Sequence, residues 1–123
     1  MARIRITAGK VSVEAELNGS ATSEKLLEAL PITGKANRWG DEIYFNIPVE
    51  AEEADDARAE MAVGEIAFWP PGSAFCIFWG PTPASSGKQP QAASPVNVLG
   101  QIAGDAKQFS AVASGTKVVI EAV

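Results

Sequence analysis

Gly64-Glu65-Ile66-Ala67-Phe68-Trp69-Pro70-Pro71-Gly72-Ser73-Ala74-Phe75-Cys76-Ile77-Phe78-Trp79-Gly80-Pro81-Thr82-Pro83 joins two short, β-rich aromatic segments through a Pro-Pro-Gly turn. A Gly-Pro-Thr-Pro exit then stops the second segment. Proline cannot donate to a β-ladder, so Pro70-Pro71 ends one strand. Eight of the nine aromatic residues fall between Trp39 and Trp79, so one part of the fold holds nearly all the π surface. A concave binding site is expected there.

Upstream, residues 41–48 alternate, with Ile43, Phe45 and Ile47 on one face and Glu42, Tyr44 and Asn46 on the other. If the apolar face is core, the polar face looks outward or into a groove. Residues 50–60 are acidic and Ala-rich with Arg58 as the one opposing charge, and read as an exposed loop with a helical turn over 56–61. Downstream, residues 81–95 hold Pro81, Pro83, Pro90 and Pro95 among Ala, Ser, Gly and Gln, a surface loop long enough for a lid or specificity element. Residues 96–102 read as a strand, 105–112 as a short helix or turn, and 117–123 as a closing strand.

Nearer the N-terminus, residues 2–7 and 11–17 alternate with period two, a hairpin turning at Gly9-Lys10. After Asn18-Gly19, Ser and Thr caps, an early Glu24 and apolar positions at helical spacing predict a short helix within 20–30, stopped by Pro31.

The chain has 123 residues, 46% of them hydrophobic, enough for a single domain over residues 1–123 with one core. Ten basic and fifteen acidic residues give a net charge of −5 with no basic stripe, so neither nucleic acid nor anionic membrane is an expected partner. No apolar run approaches the roughly 18 residues of a membrane span and the N-terminus lacks a signal-peptide core, so a cytoplasmic location is expected. With one cysteine, Cys76, and no histidine, an internal disulfide, a zinc cluster and any His-based general base are excluded. No cofactor is expected.

The order hairpin, short helix, strand, loop, paired strands, strand and final strand resembles the cyclophilin fold. More closely, Trp39-Gly40-Asp41-Glu42-Ile43-Tyr44-Phe45, Trp69-Pro70-Pro71-Gly72, Phe75-Cys76-Ile77-Phe78-Trp79-Gly80-Pro81-Thr82-Pro83 and Ser94-Pro95-Val96-Asn97-Val98-Leu99-Gly100 resemble the small prokaryotic cyclophilin-like proteins. The resemblance covers nearly the whole chain. It implies a mainly β fold, a closed eight-stranded cyclophilin-like β-barrel of antiparallel strands with one or two short helices. It implies a fold and not an activity.

Cyclophilins proper catalyse prolyl cis/trans isomerisation, against a barrier of roughly 18–20 kcal/mol, with a groove arginine on the twisting amide. The strand that carries Phe-His-Arg-Ile-Ile-Pro there reads Ile43-Tyr44-Phe45-Asn46-Ile47-Pro48 here, which puts Asn46 about where the arginine would sit. A neutral amide does not replace a fixed guanidinium. Trp69 and Pro70 take the place of small groove residues, Ala74 that of the groove glutamine and Cys76 that of the groove phenylalanine, while the groove histidine falls near Val96. The usual isomerase set is therefore absent.

The resemblance places Glu42, Tyr44 and Asn46 at the groove together with Trp69, Cys76 and Phe78; the alternative is an outward polar strand face over the core. Trp39, Trp69 and Trp79 are all large enough to anchor a ligand, with Trp69 the best placed and Trp79 suited to packing. Cys76 has no basic neighbour in sequence and reads as an inert buried thiol. Asp41 and Glu42 are strand neighbours that point to opposite faces, so they do not form a working carboxylate pair.

The expectation is a barrel that binds a small molecule or short peptide through Glu42, Tyr44, Asn46, Trp69, Cys76 and Phe78, without the usual prolyl isomerase activity. The alternatives are a divergent isomerase acting by groove desolvation, or a subunit or regulatory partner of a metabolic enzyme. A homo-oligomer or a protein partner stays open.

Overall fold

Alternating apolar residues at the N-terminus form β1 (Arg3–Ala8) and β2 (Val11–Leu17), which pair antiparallel about Gly9. The turn needs the left-handed backbone that glycine adopts freely, and Gly9 has φ +59°. Ile4, Ile6, Val13 and Ala15 point into the core, while Arg3 and Arg5 reach Glu14 across the solvent face. The helix α1 (Ala21–Ala29) starts at Ser20, whose hydroxyl accepts the Ser23 N–H, and the residue ahead of Pro31 is extended. The computed structural model that shows these elements describes residues 2–123.

The remaining strands are β3 (Ile32–Lys35), β4 (Asn37–Arg38), β5 (Glu42–Asn46), β6 (Arg58–Glu60), β7 (Glu65–Trp69), β8 (Ala74–Phe78), β9 (Gln91–Ala103) and β10 (Lys117–Ala122). All pairings are antiparallel, in the order β3-β10-β1-β2-β9-β7-β8-β5-β4, with β6 added against β9. The strands number ten where the resemblance implied eight, and the short segments β3, β4 and β6, none of them read as strands from sequence, all find ladder partners. Among the described residues no ladder closes the sheet on itself. Its two terminal strands, β3 and β4, are nevertheless consecutive in the chain, separated by Ala36, and Gly34 of β3 lies against the Phe45 ring of β5.

Three sequence expectations change. Residues 56–61 do not make a helical turn: Arg58–Glu60 is extended, because the first half of β9 offers a free edge and Met61 buries beyond it. The loop expected over 81–95 ends at Pro90, and β9 runs through Pro95. A proline is tolerated there because the β6–β9 register shifts, leaving no regular ladder for its missing N–H to break. Residues 32–35, unassigned from sequence, pair with β10. The segment 105–112 is a short 3₁₀ helix, Ala106–Ala111.

Side-chain alternation splits the apolar residues of β5, β7 and β8 between two faces. Ile43, Phe45, Ile66, Phe68, Phe75 and Ile77 join the main core with Ile4, Ile6, Leu99, Phe109, Val118 and Ile120. Ala67, Cys76 and Phe78 face the opposite way, into a second cluster closed by Met61, Ala92 and Val96. This central part of the sheet is therefore covered on both sides, and all five residues of β8 are buried. No helix of the described residues is long and apolar enough to cross a membrane.

Candidate functional site

The ladder fixes which side chains share the outer face. Glu42 sits opposite Phe78, Tyr44 opposite Cys76 and Asn46 opposite Ala74, while Trp69 sits opposite Ala74 from the other side. Above this face opens a cavity of about 250 Å³. Trp39, Tyr44 and Trp69 form its walls, Glu42 and Cys76 lie beneath, and Ala92, Ala93 and Val96 of β9 complete the far side.

Trp39 is held by the tight β4–β5 turn, in which its N–H donates to the Glu42 carbonyl at 2.9 Å. Gly40 makes that turn at φ +63°, packed so closely on residues 81–83 that a Cβ would come within 3.0 Å of three of their atoms. Trp69 ends β7 with its indole N–H bonded to Ser94 Oγ at 2.7 Å. The 3₁₀ turn Pro70–Gly72 folds back against its ring, and a Cβ on Gly72 would lie 2.7 Å from Cζ3.

Glu42 is only 4% exposed, yet its carboxyl faces the cavity and no lining residue carries a positive charge. Burial pushes the carboxyl up to about 8, against a smaller downward pull from the neighbouring Cys76 thiol. The Cys76 thiol is pushed well above its ordinary value by burial first and by Glu42 second, so it is not an activated nucleophile. The nearest basic residue in sequence, Arg38, is turned elsewhere. Its guanidinium donates to the carbonyls of Gly40, Ser110 and Val112, pairs with Asp41 and lies 5.0 Å from the Trp79 ring centroid. Glu42 and Asp41 thus point apart, as the strand alternation required.

Of the six side chains expected at the groove, Glu42, Tyr44, Trp69 and Cys76 meet around the cavity. Asn46 is on the same strand face but does not line it. Its amide donates to the Gly72 carbonyl at 2.6 Å and pins the turn behind Trp69. Phe78 lies fully buried in the cluster below the cavity. Trp39, Ala92, Ala93 and Val96 complete the lining. The signals for two of them were present: Trp39 precedes the Gly40 turn next to Glu42, and Val96 stands near the expected groove histidine. Ala92 and Ala93 were hidden inside what composition marked as loop.

A second, larger hollow of about 620 Å³ lies beside Arg58, Glu65 and residues 86–91. Two of its charges are matched, since Arg58 grips Glu65 with two hydrogen bonds of 2.9 and 2.5 Å, while Glu60 and Lys88 also line it. Burial pushes the Glu65 carboxyl up, but hydrogen bonds from Arg58 and the Ala62 N–H, with the Arg58 charge, outweigh it and hold the carboxyl below its usual value. No group of three or more His, Cys, Asp or Glu side chains among the described residues is arranged to hold a metal ion.

The structure thus joins a mainly β, antiparallel sheet covered on both sides to an aromatic cavity on its outer face. The chain belongs to the cyclophilin-like family, whose model matches residues 2–121. It is similar to the hypothetical protein AF2241 from Archaeoglobus fulgidus, whose solution structure superposes with a TM-score of 0.84 at 38% identity, covering 99% of this chain and 95% of that one. Among curated proteins none matches the chain.

Proposed function

We propose that this protein binds a small ligand, or one side chain of a short peptide, in the cavity between Trp39, Tyr44 and Trp69, and does not work as a usual prolyl isomerase. The observation that carries the reading is an apolar, aromatic-walled cavity with a single buried carboxyl at its base. Binding pockets combine these features: apolar surface supplies affinity and a few placed polar groups set orientation. The volume is at the small end for such sites, so one compact group fits and an extended peptide does not. Against isomerase chemistry stands Asn46, which the sequence resemblance sets about where the groove arginine would sit and whose amide donates to the Gly72 carbonyl.

The same reading takes the sheet as a closed barrel in the cytoplasm. The junction of its terminal strands through Ala36 and the contact of Gly34 with Phe45 support closure. The test is heteronuclear NMR of the labelled protein with an Ala-Pro peptide and a panel of small amides, alcohols, carboxylates and amines. The three indole N–H resonances report separately: Trp39 and Trp69 at the cavity, Trp79 in the main core. Ligands from the panel are expected to move the first two and not the third, and Trp69→Ala to weaken binding roughly tenfold or more. Peptide exchange is expected to stay at its uncatalysed rate. A panel that moves neither cavity indole, or unchanged affinity in Trp69→Ala, overturns the site.

A further inference from the structure

We propose that the ligand of this cavity is a small organic cation, an alkylammonium group enclosed by Trp39, Tyr44 and Trp69 with Glu42 as its counter-charge. The inference rests on the cavity being a binding pocket and adds the chemistry of what enters it.

Three observations converge. The walls are the three aromatic side chains with electron-rich faces, the residue types that attract cations through the ring quadrupole, an attraction that strengthens as water is excluded. Beneath them lies one acidic side chain, 96% removed from solvent, and no basic side chain reaches it. Arg38, the candidate by sequence position, is committed to three carbonyls and Asp41. A buried carboxyl is ordinarily matched by a partner, and here the chain supplies only a thiol. The missing positive charge is the one feature a ligand would bring.

The elements around Glu42 present few other titratable groups. Tyr44 on β5 and Cys76 on β8 are the ones on the lining, whereas the Trp39 turn, β7 and β9 offer tryptophan, alanine and valine. Without ligand, burial keeps the proton on Glu42, and a bound cation favours its loss. Cation binding therefore releases a proton to solvent and strengthens as pH rises. A neutral ligand of the same shape meets the protonated acid and gains nothing from high pH.

Tetramethylammonium and choline are suitable probes because their charge does not titrate, so any pH dependence belongs to the protein. The comparison is 3,3-dimethylbutan-1-ol, the uncharged isostere of choline. Titrations followed at the Trp39 and Trp69 indole resonances, at about pH 6 and about pH 9, bracket the Glu42 transition. Choline is expected to bind more than tenfold tighter at the higher pH and more than tenfold tighter than the alcohol there. Glu42→Gln should bring choline down to the level of the alcohol at both pH values. The Trp79 resonance confirms that the variant is folded.

Equal affinity for choline and the alcohol, or a flat pH profile for choline, overturns the cation assignment while leaving the pocket intact. If none of the three probes moves either indole, the cation assignment falls alone, because the wider panel decides the pocket independently. Alcohol binding that weakens at high pH, with no choline binding, identifies the protonated acid as a donor to neutral ligands and also overturns the proposal.

Discussion

At Glu42 burial and charge oppose each other, and pH decides the balance. Below about pH 4.5 the carboxyl is protonated in both folded and unfolded chains, so its contribution to stability is fully present. As pH rises toward 8 the unfolded chain ionises while the folded one keeps its proton, and stability falls. The whole loss is on the order of 4–5 kcal/mol, at 1.36 kcal/mol per pKa unit. Glu42→Gln has no proton to lose, so its advantage over the parent should grow from pH 4.5 to 8 and level off above, as measured by urea unfolding at a series of pH values. A constant difference would show that the carboxyl ionises freely. Alternation set which strand face Glu42 shares with Tyr44 and Asn46, and only the family resemblance put that face at a groove; its protonation was not legible, because that depends on what faces it from other strands. Asn46 shows the converse: its face was legible and its task was not. Asn46→Ala removes the clamp on Gly72 and should cost about 1 kcal/mol in urea unfolding, with a broadened Trp69 indole resonance.

Elements whose register was strongly patterned were readable, and those formed by opportunity were not. The β1–β2 hairpin, α1 and the β7–β8 pair carry period and punctuation of their own. β3 and β6 have four and three residues and become strands because β10 and β9 present edges to them. Pro95 concealed half of β9, since a proline normally argues against a strand and only the irregular pairing with β6 admits it. Further along β9, Gly100 closed a motif of the family resemblance, and its reason was not legible. A Cβ there would fall 2.0 Å from the Glu16 carbonyl of β2, a backbone atom that cannot swing aside. Gly100→Ala should therefore destabilise by about 3 kcal/mol, whereas Gly87→Ala, with open space around it, should stay within about 0.5 kcal/mol. Parallel thermal melts of the two variants check this, and equal melting temperatures would mean that β2 and β9 separate more easily than their ladder suggests.

Across the whole molecule, the sheet keeps its main core and its candidate site on opposite faces, which separates stability from specificity. Phe45 belongs to the first: its ring is fully buried, lies tilted against Phe75 with centroids 5.5 Å apart and packs on Gly34 at the junction of the sheet's ends. Truncating it leaves a void that no neighbour can fill, and Phe45→Ala should cost about 3–5 kcal/mol. Trp69 belongs to the second. It is half-buried, already borders a cavity and is fixed chiefly by Ser94 and the Pro70–Gly72 turn. Trp69→Ala removes more atoms yet enlarges an existing space, so its cost should be about 1–2 kcal/mol, with loss of the Ser94 hydrogen bond as the main component. Urea unfolding with a common slope for both variants separates the two values. If Trp69→Ala proves as destabilising as Phe45→Ala, the aromatic wall is part of the structural core, and its size and chemistry reflect packing instead of ligand selection. If the gap holds, the cavity walls are free to vary in sequence without unfolding the sheet behind them, as a surface selected for what it binds requires.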